Sequence, residues 1–251
     1  MQNNPIVILK SGKDQSARRF HPWIFSGAIK KIKGDVAEGD VVEVTDNKDN
    51  FLGLGHYQVG SIAVRIFSFT KVIPDTGFWM KKIETAWKLR QQTLLSNNKE
   101  TNVFRLINAE GDYMPGLIVD FYNGIVVIQM HSIGMYKIRN ILAQCIKDIL
   151  GDQLKAVYDK SQATLPYKAA IEPQNEFLFG KQDEDNIVSE YGNQFQIDFQ
   201  EGQKTGFFID QRENRSLLGD YAKGKKVLNM FCYTGGFSVY ALKGGASKVD
   251  S

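Results

Sequence analysis

Apolar and polar positions divide the chain into short alternating runs, then one helical stripe, then longer apolar runs. Ile6 to Leu9 reads as a strand, and Ala17 to Phe25 continues the pattern until Ser26-Gly27 closes it. Asp40 to Thr45 and Phe51 to Tyr57 flank a turn-rich Asp46 to Asn50, which predicts a hairpin with a longer loop. Ala63 to Thr70 alternates as a further strand. Pro74 to Gly77 marks a turn and a boundary. Phe78 to Leu95 places Ile83, Ala86, Trp87 and Leu94 at helical spacing, and Ser96 to Thr101 is a polar loop. Phe104 to Ala109 leads into a turn over Glu110 to Gly116. Leu117 to Tyr122 and Ile125 to Met130 are strands joined by Asn123-Gly124, a strong hairpin signal. Gly134 opens a helix with Ile138, Ile141, Leu142, Cys145 and Ile149 on one stripe. Ile187 to Tyr191 and Gln194 to Phe199 form a hairpin about Gly192-Asn193, with Phe195, Ile197 and Phe199 on one face. Val227 to Phe231 has the composition of a buried parallel strand. It runs through Cys232 to Gly236 into a helical Phe237 to Leu242, and a second parallel strand begins at Lys248. Three units follow: a β-rich unit over 1–73, a central α+β unit over 74–186 and an α/β unit over 187–251.

A hydrophobic content of 43% and 23 glycines suit a folded globular chain of 251 residues. Net charge is only +3, so a uniformly basic nucleic-acid binder is not indicated. The distribution changes that picture. Lys10, Lys13, Arg18, Arg19, Lys30, Lys31 and Lys33 stand against Asp14 alone in the first 33 residues. No run has the length of a membrane span, and no charged segment followed by an apolar one suggests a secretion signal. Two distant cysteines fit a reducing cytoplasm, and no Cys/His spacing suggests a metal. Cys145, on the helical stripe, reads as a small core residue. Asp112 and Asp120 invite a reading as paired carboxylates, but no accompanying base is identifiable, and they read better as turn and strand-end residues.

Candidate chemistry concentrates between Gly202 and Gly245. Strand, glycine turn and helix open a doubly wound nucleotide-binding fold, whose ligand sits at the carboxyl end of the first strand. A turn joining any strand to any helix would look similar. The G-x-G-x-x-G pattern is absent, which disfavours a nicotinamide-dependent oxidoreductase. Just upstream, Lys204, Asp210, Gln211, Arg212, Glu213, Asn214 and Arg215 surround Phe207-Phe208-Ile209. That set suits a zwitterion or nucleoside, or simply an amphipathic helix start.

GQKTGFFIDQRENR followed by VLNMFCYTGGFSVYALKGGA resembles the cofactor region of the ribosomal large subunit methyltransferase I-like family. These proteins join a PUA domain to a class I S-adenosylmethionine-dependent methyltransferase domain. The resemblance implies an N-terminal PUA-like β-barrel, a central α+β domain and the start of a Rossmann-like methyltransferase domain. It implies S-adenosyl-L-methionine as cofactor and ribosomal RNA as partner, with 5-methylcytosine in 23S RNA as product. The residues it places around the cofactor are Gln203, Lys204, Phe207, Asp210, Gln211, Arg212, Asn229, Tyr233, Thr234, Gly235 and Gly236. Asn229 stands where many class I enzymes carry an acid. Lys10, Arg18, Arg19, His21 and Trp23 are the RNA-binding candidates, cations beside an aromatic. Val157 to Lys160 resembles the family's next strand, whereas Ser161 to Pro173 departs from its pattern. By family spacing the ribose-binding acid, the substrate loop and the catalytic cysteine would follow Ser251. No catalytic residue is therefore expected within the chain, and Cys232 lies in the cofactor loop. On that reading these residues alone do not turn over. A non-catalytic RNA-binding module is the alternative, and a homodimer is left open.

Overall fold

The computed structural model describes residues 4–96, 100–166, 171–182 and 185–251. Parts of the Ser96 to Thr101 loop and of the divergent Ser161 to Pro173 segment lie outside the described residues.

The N-terminal unit is a mixed six-stranded sheet in the order β2-β6-β5-β4-β1-β3. Its strands are β1 (Ile6–Leu9), β2 (Trp23–Phe25), β3 (Ile29–Lys33), β4 (Val41–Thr45), β5 (Phe51–Tyr57) and β6 (Ile62–Ser68). The expected hairpin is present, with β4 antiparallel to β5. Ala17 to Phe25 is not one strand: a helical turn, α1 (Gln15–Arg18), buries Ala17, and extended structure resumes at Trp23. β3 escaped the sequence pattern because three lysines in IKKIK leave only its two isoleucines partly covered. Val7, Leu9, Ile24, Val42, Val44, Val64 and Ile66 close the core of this unit.

Helix α2 (Thr76–Arg90) starts where Asp75 accepts the Phe78 amide, the usual role of an N-cap acid, and a π-type turn carries the chain to Leu95. It packs Trp79, Ile83, Ala86 and Trp87 into the same core as Leu54 and Phe67 of the first sheet. The central five-stranded sheet has the order β11-β10-β9-β8-β7. It comprises β7 (Val103–Asn108), β8 (Leu117–Tyr122), β9 (Ile125–Met130), β10 (Ala156–Asp159) and β11 (Glu176–Phe179). The Asn123-Gly124 hairpin forms as read. Between β9 and β10 the expected single helix is two, α3 (Ile133–Lys137) and α4 (Arg139–Leu150), broken at Ile138. All six residues of β9 are buried. Val126 and Ile128 face the α2/α4 layer, while Ile125 and Val127 face a second core. A sheet covered on both faces explains the unbroken apolar runs. Cys145 is wholly enclosed, as expected of a core residue.

The second core belongs to the carboxyl-terminal unit. β12 (Ile187–Glu190) and β13 (Asn193–Gln196) form the hairpin, and Phe195, Ile197 and Phe199 bury as a set with Phe207, Ile209 and Tyr240. Then come α5 (Arg212–Tyr221), β14 (Lys226–Leu228), α6 (Gly236–Lys243) and β15 (Lys248–Asp250), with β14 parallel to β15 as read. The buried strand expected over Val227 to Phe231 is corrected. Only three residues are extended, and Leu228, Met230 and Phe231 are 68%, 64% and 96% exposed, because β14 pairs with β15 alone among the described residues. Among the described residues no helix is long and apolar enough to cross a membrane.

Glu190 joins these pieces. Fully enclosed, its carboxylate accepts Arg212 Nε at 3.2 Å and Arg215 Nε and Nη2 at 2.8 Å each, and the Tyr240 hydroxyl donates to it at 3.1 Å. Arg212 also donates to the Val103 carbonyl, and Arg215 to that of Phe208. Removing one partner of such a cluster strands buried charge. Glu190→Ala is therefore expected to lose about 3–5 kcal/mol of unfolding free energy by urea titration.

A second joint is acid-sensitive. His56 on β5 stacks near Phe67 and Trp79, and a Cβ at Gly134 of α3 would lie 2.1 Å from its ring, so only glycine fits there. Burial, helped by the Lys137 charge, pushes the His56 ring from 6.5 down to about 4. The folded protein keeps this ring neutral while the unfolded chain takes up the proton below about 6.5. Stability from this source is complete above that pH and declines as pH falls toward 4, by about 2 kcal/mol at pH 5. In His56→Leu this share of the acid loss should vanish when urea unfolding is compared at pH 7 and pH 5.

Candidate functional site

The loop from Glu201 to Gly206 is moored to the central sheet by buried polar contacts. Arg105 of β7 grips Asp120 of β8 through two bonds of 2.9 and 3.0 Å. The same carboxylate accepts the Thr205 hydroxyl at 2.6 Å, and the hydroxyls of Tyr122 and Thr205 lie 2.8 Å apart. Burial and the Asp120 charge push the Tyr122 hydroxyl well above its usual range, so it stays a neutral hydrogen-bonding group. Gln129 at the end of β9 donates to the Lys204 carbonyl at 3.0 Å. Lys160, following β10, donates to the carbonyls of Phe199 and Gly202. Burial lowers its ammonium.

Tyr233 closes the arrangement from the other side. Its hydroxyl accepts the Gln203 amide at 2.8 Å and donates to the Gly206 carbonyl at 3.3 Å. Its ring meets Phe208 edge-on, with centroids 5.3 Å apart. The loop after β14 is thereby laid against the Gln203–Phe208 segment, so two stretches far apart in sequence share one face. Lys204, Phe231 and Tyr233 all adopt left-handed backbone, with φ of 55°, 60° and 51°. That conformation is costly for non-glycine residues and clusters at functional sites. Gly235, at φ 74°, precedes α6, whose first amides have no side-chain cap.

The eleven cofactor candidates separate into two groups. Gln203, Lys204, Asp210, Tyr233 and Thr234 are exposed, and Gln211, Asn229 and Gly235 are half-buried. Asp210 keeps its carboxylate at the surface, where it accepts Gln211 Nε2 at 3.0 Å. Asn229 donates to Ser238 at 2.7 Å, tying the end of β14 to α6. Phe207 and Arg212 are different. Phe207 is core, against Phe195 and beneath the Arg215 guanidinium, and Arg212 is committed to Glu190. Their side chains support the site from behind. Gly236 is buried, its backbone packed close to Arg215.

Of the RNA-binding candidates, Trp23 and His21 are in direct contact. The Trp23 indole donates to Glu110 of the central unit at 2.8 Å, its ring meets His21 and Phe25 edge-on, and its amide donates to His21 Nδ1. Lys10 donates to the Gly27 carbonyl at 2.9 Å, Arg18 is paired with Asp14 and Asp46, and Arg19 is exposed. Asp112 and Asp120 are not a catalytic pair: Arg90 holds the first and Arg105 the second. Sequence reading missed Asp120, Thr205, Gln129 and Lys160 as moorings, whereas of the paired aromatics Phe207-Phe208 it is Phe208 that meets Tyr233. The available signal was a polar residue interrupting an apolar run, as Gln129 does in IVVIQM.

The chemistry of the donor set fits S-adenosylmethionine. Uncapped amides at α6 suit a carboxylate, a surface carboxylate suits an ammonium, and the Phe208 and Tyr233 rings offer apolar faces to a nucleoside.

Comparison with known proteins places the chain in a family. A PUA-like domain model matches residues 7–69, and an S-adenosylmethionine-dependent methyltransferase model matches residues 105–251. Ribosomal RNA large subunit methyltransferase I of Alteromonas mediterranea is 40% identical over 98% of this chain and 61% of its own length. That of Pseudoalteromonas atlantica is 38% identical over 98% and 62%. The chain thus spans about 61% of the length of the curated relatives it matches. Two solved structures share the fold at 24% identity and cover 97% of this chain. One is described as a candidate SAM-dependent methyltransferase from Streptococcus mutans, with TM-score 0.81 over 62% of that chain. The other is a candidate methyltransferase complexed with SAH, with TM-score 0.82 over 61%.

Tyr233→Phe removes the acceptor of the Gln203 amide while keeping the ring. Hydrogen exchange at Gln203 should accelerate by roughly tenfold, with a loss of about 1 kcal/mol in global stability.

Proposed function

The chain belongs to the S-adenosylmethionine-dependent methyltransferase family, with a PUA-like domain on its N-terminal side, and on that footing we propose that it serves methyl transfer to ribosomal RNA in the cytoplasm. The acceptor in this reading is C5 of a cytosine in 23S RNA. The observation that carries it is the meeting of the Gln203–Gln211 and Asn229–Gly236 segments through Tyr233, in a chain that matches a PUA-like domain model and aligns over 98% of its length with a ribosomal RNA methyltransferase relative.

Bound S-adenosylmethionine supplies an electrophilic methyl group on a sulfonium. The chain's own residues bind and orient it. Thr234, Gly235 and the first amides of α6 take the carboxylate end. Asp210 takes the ammonium, a role left open by the neutral Asn229. Gln203, Lys204 and Gln211 would border the nucleoside, with the touching Phe208 and Tyr233 rings as a wall on one side of it. Fixed positioning of this sort is the main lever available to a transfer reaction that needs an in-line approach. The moorings at Asp120, Gln129 and Lys160 hold that geometry before the cofactor arrives. Neither cysteine is assigned as nucleophile: Cys145 is enclosed, and Cys232 follows the strand on the cofactor side.

Calorimetric titration should show one S-adenosylmethionine per chain, with Asp210→Ala weakening it at least about tenfold, the scale of one lost charge-assisted contact. In cells lacking the protein, mass spectrometry of 23S RNA should lose one 5-methylcytidine. Retention of every modified cytosine would overturn the assigned acceptor.

A further inference from the structure

A cavity of about 490 Å³ opens where the end of the N-terminal sheet, α2 and the turn from Ala109 to Tyr113 meet. Val72, Phe78, Lys81, Lys82, Leu89 and Tyr113 are among its walls. The function assigned above makes no use of it.

Its lining has a definite chemistry. The Lys82 ammonium donates to the Tyr113 carbonyl at 2.9 Å and lies 5.2 Å from the centre of the Phe78 ring and 5.8 Å from that of Tyr113. It is thus a cation between two aromatic faces. Burial leaves it short of solvation and holds it near 8. Tyr113 is 56% exposed, yet its backbone is left-handed, at φ 54°. An exposed tyrosine in that conformation is held by its neighbours. Asp112 accepts Arg90 through two bonds of 2.5 and 2.6 Å and the Asn108 amide at 2.5 Å, which fastens the turn to α2. Arg90 also cancels the Asp112 charge, so Lys81 and Lys82 give the cavity its positive sign.

An exposed ring on a fixed backbone beside two ammonium groups suits an unpaired nucleotide: the base stacks on the ring and a phosphate meets the cations. The cavity is of ligand size. Its charge selects a polyanion over a neutral or basic segment. We propose that this pocket receives an unpaired nucleotide of the RNA substrate, with the base on Tyr113 and the phosphate at Lys81 and Lys82. The assignment rests on the RNA-methyltransferase reading and adds a grip on the substrate away from the cofactor face.

The test is photo-crosslinking of the full chain to a single-stranded RNA carrying 4-thiouridine, mapped by mass spectrometry, alongside anisotropy titrations with the same RNA. Crosslinks should fall on Tyr113 or Phe78. Tyr113→Asn, a residue tolerated in left-handed backbone, and Lys82→Met, which keeps the stem, should each weaken binding roughly tenfold or more, as loss of a stacked base or a phosphate contact does. Melting curves close to the parent's show that the variants fold, and S-adenosylmethionine affinity should be unchanged in both. Tight RNA binding with crosslinks elsewhere and unaltered affinity in both variants overturns the pocket and leaves the RNA reading in place. Absence of RNA binding by the parent protein overturns both.

Discussion

A carboxylate without access to water stays charged only if donors surround it, and Glu190 is held by three donor side chains. Arg212 and Arg215 reach it from α5, Tyr240 from α6, and the hairpin that carries it is fixed in turn by Arg212 on Val103 of the central sheet. Each of these elements is short. α6 has eight residues and β12 four, lengths that hold no structure by propensity alone. Their positions follow from the need to satisfy one buried charge. The two segments proposed to hold the cofactor hang from the same elements, so that face inherits its geometry from a buried salt-bridge cluster.

The central sheet gives that cluster something to bear on. Because β9 is buried on both faces, its apolar residues hold the α2/α4 layer on one side and the Phe195–Phe207 core on the other. Where the sheet meets the loop from Glu201 to Gly206, the contacts are polar, from Asp120, Gln129 and Lys160. Hydrogen bonds of this kind add modest stability but are expensive to leave unmade. They therefore select one loop conformation among many that hydrophobic contact alone would permit.

Much of this was legible in the residues. Alternation and turn chemistry located three hairpins, and apolar spacing located α2. The glycine turn located the strand-to-helix junction before α6. Legibility failed where a residue's role depends on partners remote in sequence. Arg212 and Phe207 sit inside a ligand-like cluster of residue types, yet their partners are Glu190 and Phe195, and no local pattern shows that. β3 failed for the opposite reason, since its lysines point outward and mask two partly buried isoleucines. Val227 to Phe231 was misjudged because composition reports what a strand can bury, whereas exposure depends on which strands flank it.

The contact between Gly134 and His56 has a mechanical meaning. Two bodies joined by a linker sample many separations, but here the sheet that bears Trp23 and the sheet beneath the cofactor loop are welded at a point too tight for a single methyl group. Whatever is gripped on one body is then presented to the other at a constant offset. For the RNA substrate proposed above, such a weld would act as a ruler, fixing the offset between the two points at which the chain holds it.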